Sequence, residues 1–83
     1  MVIKIFGPGC KNCLRVAENA RAAIAQLGLD ATIEKVENIQ EFIKAGVFRT
    51  PGVAFDNEII CQGMIPSTEK LKDWLQKYLA TKH

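Results

Sequence analysis

Two cysteines separated by two residues, Cys10 and Cys13, stand between a Gly7-Pro8-Gly9 turn and a run with helical spacing. No other stretch constrains the chain as much. Upstream, Met1–Phe6 (MVIKIF) is short, apolar and β-branched, which reads as a strand halted by the turn. Downstream, Cys13, Ala17, Ala20, Ile24 and Leu27 fall at i, i+4, i+7, i+11 and i+14. That is one apolar stripe on a helix starting at about Cys10 or Lys11. The first N–H groups of a helix lack internal partners and, with the helix dipole, favour negative charge in front of them. A cysteine there holds its thiolate more readily, and the thiolate is the nucleophile in disulfide exchange. Cys10 is therefore the expected attacking sulfur. Cys13, one turn on and at the head of the apolar stripe, is the expected buried, resolving sulfur.

The rest of the chain supplies a sheet for this junction to sit on. Gly28 fits the left-handed position past the first helix. Ala31–Val36 alternates and reads as a short strand. Asn38 is placed to cap a second helix, with Glu41 at the capping-box spacing, Ile39, Phe42 and Ile43 as its buried face and Gly46 as its end. Thr50-Pro51-Gly52 breaks the chain before a strand at Val53–Phe55, Asp56-Asn57 suits a tight hairpin, and Glu58–Cys61 returns. Gly63 and Pro66 end the sheet, and Ser67 or Thr68 caps a last helix. Leu71, Trp74, Leu75, Tyr78 and Leu79 form the apolar stripe of that helix and read as core. The order is β-α-β-α-β-β-α. A parallel βαβ crossover followed by an antiparallel hairpin predicts an α/β fold, a mixed four-stranded sheet flanked by three helices.

Composition narrows the setting. With 83 residues and 9.2 kDa the expectation is a single domain over 1–83. A hydrophobic fraction of 48% excludes a disordered chain. Eleven basic against nine acidic residues, a net charge of +2, points to neither a nucleic-acid nor a membrane-surface binder. Three cysteines, one close pair and a distant Cys61, argue against a secreted disulfide framework and for a reducing compartment. Lys4 and the glycine turn interrupt the apolar start before it could serve as a targeting segment. The expected protein is soluble, cytoplasmic and monomeric. Cys61, in a strand, reads as a small core residue, and the terminal His83 is assigned no role.

Gly7-Pro8-Gly9-Cys10-Lys11-Asn12-Cys13, then Thr50-Pro51 before the hairpin and Gly63 after it, resembles the thioredoxin-like superfamily. Within it the chain is similar to the minimal, glutaredoxin-sized thioredoxins, small redox-active disulfide proteins. The resemblance covers nearly the whole chain and implies a thiol–disulfide oxidoreductase that reduces protein disulfides without a cofactor. It implies a cis bond before Pro51, close to the cysteine pair, and a substrate-binding role for Thr50 and Pro51. Thr50 would offer its backbone to an extended substrate segment. It also implies an electron donor of the flavin thioredoxin-reductase kind. An X-Pro bond reaches cis at a cost of roughly 0.5–1 kcal/mol, so Thr50-Pro51 can carry it. The sequence departs from the larger thioredoxins in having Gly9 rather than Trp before Cys10, and Lys11-Asn12 rather than Gly-Pro between the cysteines. The strand before the motif lacks their buried aspartate, so proton transfer at Cys13 falls to water or another group. The glutaredoxin Cys-Pro-Tyr-Cys is absent too, and glutathione is not implied as reductant.

Lys11 and Arg15 lie in the first turns after Cys10, Arg49 immediately precedes Thr50-Pro51, and Glu18 is the nearest acid in the motif region. A basic rim that lowers the Cys10 pKa is one expectation; solvated, screened side chains are the other. A metal-binding module or metallochaperone is the main alternative, because soft thiolates in C-x-x-C also suit Cu(I) and Zn(II). Against it, Pro8 stands where such domains carry Met, and they run βαββαβ whereas this chain ends on an amphipathic helix. A closed zinc site would need four ligands, and Cys10, Cys13, Cys61 and His83 are poorly placed to converge. A third possibility, an interaction module without turnover, is hard to square with an intact C-x-x-C.

Overall fold

The structure, a computed structural model, describes residues 1–9 and 11–81. Cys10 and His83 lie outside the described residues. The elements are β1 (Val2–Phe6), α1 (Lys11–Leu27), β2 (Thr32–Val36), α2 (Ile39–Ala45), β3 (Gly52–Phe55), β4 (Glu58–Gln62) and α3 (Thr68–Thr81). This is the expected order. The sheet runs β2-β1-β3-β4. β1 is parallel to β2 in the register Ile3↔Ile33 and antiparallel to β3 with Phe6↔Gly52, and β3 is antiparallel to β4 with Gly52↔Gln62.

Alternation in β1 and β3 sends residues to two unequal cores. Ile3, Ile5, Val53 and Phe55 meet Val16, Ala17, Ala20 and Ala23 of α1 and Leu71 and Leu75 of α3. All of these are essentially inaccessible to water. The alanines let α1 lie close on the sheet, while Phe55 fills the centre and stacks edge-on against Tyr78 at 5.4 Å. Removing each large side chain here from water contributes about 1.5–3 kcal/mol. The α1 stripe is wider than the sequence spacing implied, taking in Val16 and Ala23, with Ile24 and Leu27 only half-buried.

On the other face Phe6, Phe42, Val47 and Ala54 form a smaller core, with Phe6 and Phe42 edge-to-face at 6.0 Å. Here the sequence reading is corrected. Of the expected buried face of α2 only Phe42 is buried, while Ile39 is 67% and Ile43 64% exposed. A helix of 7 residues that touches the sheet through one aromatic ring cannot bury a whole stripe. Asn38 caps it by accepting the Gln40 N–H at 2.8 Å; Glu41, at the capping-box spacing, pairs instead with Lys44 at 3.6 Å. Ser67, not Thr68, caps α3, its hydroxyl accepting the Lys70 N–H at 3.1 Å.

Candidate active site

The register places the sequence motifs at one end of the sheet. Because Phe6 pairs with Gly52 and Gly52 with Gln62, the segments Gly7-Pro8-Gly9, Thr50-Pro51 and Gly63 leave the sheet side by side. β2, parallel to β1, finishes at the same end, where Val36 C=O accepts the Gly7 N–H at 2.9 Å. The Thr50-Pro51 bond is cis, as the resemblance implied.

Cys13 sits on the first turn of α1 and is buried at 5% exposure. Its Sγ occupies the space that a side chain at residue 7 would need: a Cβ built on Gly7 would overlap it. Gly7 is therefore required for close approach, since no other residue lets β1 run on beneath the sulfur. The first turn of α1 carries Lys11 and no acidic residue. Cys10, the expected nucleophile, is the residue before Lys11 in sequence and lies outside the described residues.

A narrow recess beside Cys13 is lined by Ile5, Gly7, Gly9, Leu14, Lys35 and Glu37. The Glu37 carboxylate comes within 3.4 Å of where a Cβ on Gly9 would lie. Sequence proximity had pointed to Glu18 as the nearest acid. Glu37 was missed because it follows β2, and only the parallel pairing of β2 with β1 carries it to the motif loop.

Thr50 is exposed and Pro51 buried. Among the described residues the Thr50 backbone makes no main-chain hydrogen bond, whereas its neighbours are held: Gly63 N–H donates to Pro51 C=O at 3.0 Å. Next to Thr50 opens an apolar groove of about 410 Å³ walled by Pro8, Ile39, Phe42, Ile43, Val47 and Phe48. It joins the motif loop to Thr50, and Phe48 at its rim is 82% exposed. The residues misread as the buried face of α2 are the walls of this groove. Cys61 lies half-buried on β4, packed against the larger core, and burial pushes its thiol above the usual value.

The fold and the grouped motifs define a class, an α/β redox domain with a cysteine on the first turn of its leading helix. A family model described as "Thioredoxin domain" matches residues 1–76. The chain is 49% identical over 82 residues to a protein named "Thioredoxin" from Methanocaldococcus jannaschii, covering 99% of this chain and 94% of that one. It is 40% identical over 72 residues to another "Thioredoxin", from Methanothermobacter thermautotrophicus, covering 87% of this chain and 94% of the relative. The chain belongs to the thioredoxin family, a family of protein disulfide oxidoreductases. No described helix is long and apolar enough to cross a membrane.

Proposed function

We propose that the chain, acting as one domain, reduces protein disulfides through the Cys10–Cys13 dithiol. The observation that carries this reading is the burial of Cys13 against Gly7, at the sheet end where Thr50 makes no main-chain hydrogen bond among the described residues. The Cys10 thiolate attacks one sulfur of a substrate disulfide, forming a mixed disulfide and releasing the other sulfur as a thiolate. Cys13, deprotonated, then attacks the Cys10 Sγ, breaks the mixed disulfide and releases the second substrate thiolate. The substrate gains two electrons and the protein keeps a Cys10–Cys13 disulfide. A buried resolving thiol suits this order, since it is shielded from outside disulfides until the mixed disulfide brings its target within reach.

Thr50 is the residue we assign to substrate main chain, because among the described residues it is exposed and makes no main-chain hydrogen bond, which suits it to pair with an extended segment. Pro51 buries itself beneath that contact and contributes no N–H to compete. An external dithiol donor of the thioredoxin-reductase kind restores the reduced form. A reducing, cytoplasmic compartment is the setting in which such a carrier works.

Paired cysteine variants test the reading. Cys10→Ser should abolish insulin reduction by dithiothreitol-charged protein. Cys13→Ser should retain the first attack and accumulate a mixed disulfide visible on non-reducing gels. Full activity in Cys10→Ser, or no trapped species in Cys13→Ser, would sink it. A Cys10–Cys13 potential near roughly −270 mV fits a reductant, and one near roughly −120 mV an oxidant.

A further inference from the structure

The loop that carries Thr50 has few ties of its own. Val47 is buried, and its N–H reaches Phe42 C=O at 2.8 Å. Beyond Val47 the chain turns away from the sheet with Phe48, Arg49 and Thr50 all exposed. What fixes their backbone is a side chain from another strand. Gln62, the last residue of β4, accepts the Phe48 N–H at 2.7 Å and the Arg49 N–H at 3.1 Å on the same Oε1. Its Nε2 donates to the Gly46 carbonyl at 3.5 Å. Two N–H donors on one atom and a carbonyl facing the other fix which way the amide points. The residue after it, Gly63, holds Pro51 from the far side. The end of β4 thus grips the loop on both sides of Thr50 and leaves Thr50 itself open.

We propose that Gln62 is a positioning residue for partner docking. It presets the backbone from Phe48 to Thr50 so that Thr50 meets an extended substrate segment while Phe48 lines the apolar groove. This inference rests on the function proposed above. Ordering a loop before the partner arrives removes an entropic cost from binding. The benefit falls on substrates that touch the loop, and a disulfide too small to reach it gains nothing.

The experiment compares Gln62→Ala and Gln62→Glu with wild type on insulin and on dithiobis(nitrobenzoate), alongside thermal melting and the Cys10–Cys13 potential. Losing the side chain's bonds to the Phe48 and Arg49 N–H groups and its longer one to Gly46 C=O in Gln62→Ala should raise the KM for insulin about tenfold. Its kcat, its rate with the small aromatic disulfide and its potential should stay at wild-type values. Gln62→Glu keeps an oxygen that accepts both N–H groups but turns its second carboxylate oxygen toward the Gly46 carbonyl, so its insulin KM should fall between those of the alanine variant and wild type. An unchanged insulin KM in Gln62→Ala would overturn the inference. So would an equal loss on both disulfides, or a Gln62→Glu as weak as the alanine variant. A wild-type protein that reduces neither disulfide would instead overturn the function on which it stands.

Discussion

The two ends of the sheet are built for opposite purposes. At the hairpin end Asp56 closes everything within reach. Its Oδ1 accepts the Val2 N–H at 3.0 Å, its own N–H donates to Val2 C=O at 2.7 Å, and its Oδ2 accepts the Tyr78 hydroxyl at 3.2 Å. Lys4 reaches across to Asn57 at 3.1 Å. These bonds tie β1, the hairpin turn and α3 together. At the motif end, Thr50 makes no main-chain hydrogen bond among the described residues, and the large exposed apolar side chains gather: Leu14, Ile39, Ile43, Phe48, Met64 and Ile65. The lesson is a division of labour. One end supplies stability through satisfied polar groups, and the other gives some of it up to keep a reactive, apolar face open. Substitutions at the motif end should cost activity first, and those at the hairpin end stability first.

The largest effect is expected from Gly7→Ala. Gly7 has no left-handed backbone to lose, so the damage comes from the Cβ that would overlap the Cys13 sulfur. Something must shift, at a cost of about 1–3 kcal/mol in an already packed site. On the proposed mechanism, displacing the Cys13 sulfur by even a fraction of its reach should lower insulin-reductase kcat/KM by about a hundredfold. The check is steady-state kinetics at a temperature where circular dichroism shows the variant folded. Near-normal kinetics would mean that Cys13 has room, contrary to the packing described.

Asp56→Ala should show the reverse. Losing the acceptor for the Val2 N–H, at a residue with φ of 56°, should destabilise the fold by about 1–2 kcal/mol. For a domain of this size that lowers Tm by roughly 4–8 °C per kcal/mol. Insulin-reductase kcat/KM, measured below the transition, should be unchanged. A variant that keeps its Tm and loses activity would break the comparison between the ends.

Cys61 asks whether nearness to the motif end is enough to make a thiol reactive. It pairs with Val53, close to that end, yet its side chain faces the larger core and burial raises its pKa. A smaller thiolate fraction at neutral pH means slow reaction with iodoacetamide. In a Cys10→Ser, Cys13→Ser double variant, mass spectrometry should find Cys61 alkylated more slowly than a free cysteine peptide. Cys61→Ala should leave reductase activity unaltered.

Much of this division could be read from the amino acids, and what could not has a common cause. Element order was legible because Gly7-Pro8-Gly9, Gly28, Gly46 and Asp56-Asn57 punctuate stretches of clean period. Cys13 was legible as the buried sulfur because it heads the α1 stripe. Ile39 and Ile43 were misread because spacing reports which side chains share a face, not whether anything lies beneath that face. Glu37 and Gln62 carried no pattern at all. One reaches the motif through parallel strand pairing, the other through a side chain bridging β4 to the loop before Thr50. Polar residues at strand ends acquire such roles only once the register is set.

The smallest expected effect sharpens the hairpin end and is read in alkali. Tyr78 is the sole tyrosine. Its pKa is pushed above the ordinary 10.0, first by partial withdrawal from water, then by its hydrogen bond to Asp56 and by the negative charges of Asp56 and Glu58. A raised pKa means that the folded protein holds the phenolic proton more tightly than the unfolded chain does. The stability linked to it is fully present below pH 10 and is lost as pH rises through the higher folded value. Denaturant unfolding at stepped pH should therefore show wild-type stability falling above pH 10 by more than that of Tyr78→Phe. The same titration, followed by phenolate absorbance, should have its midpoint above 10 in the native protein and fall back toward that value in denaturant. A native midpoint at or below 10 would mean that Asp56 does not hold the hydroxyl, and the hairpin end would be less firmly closed than its hydrogen bonds imply.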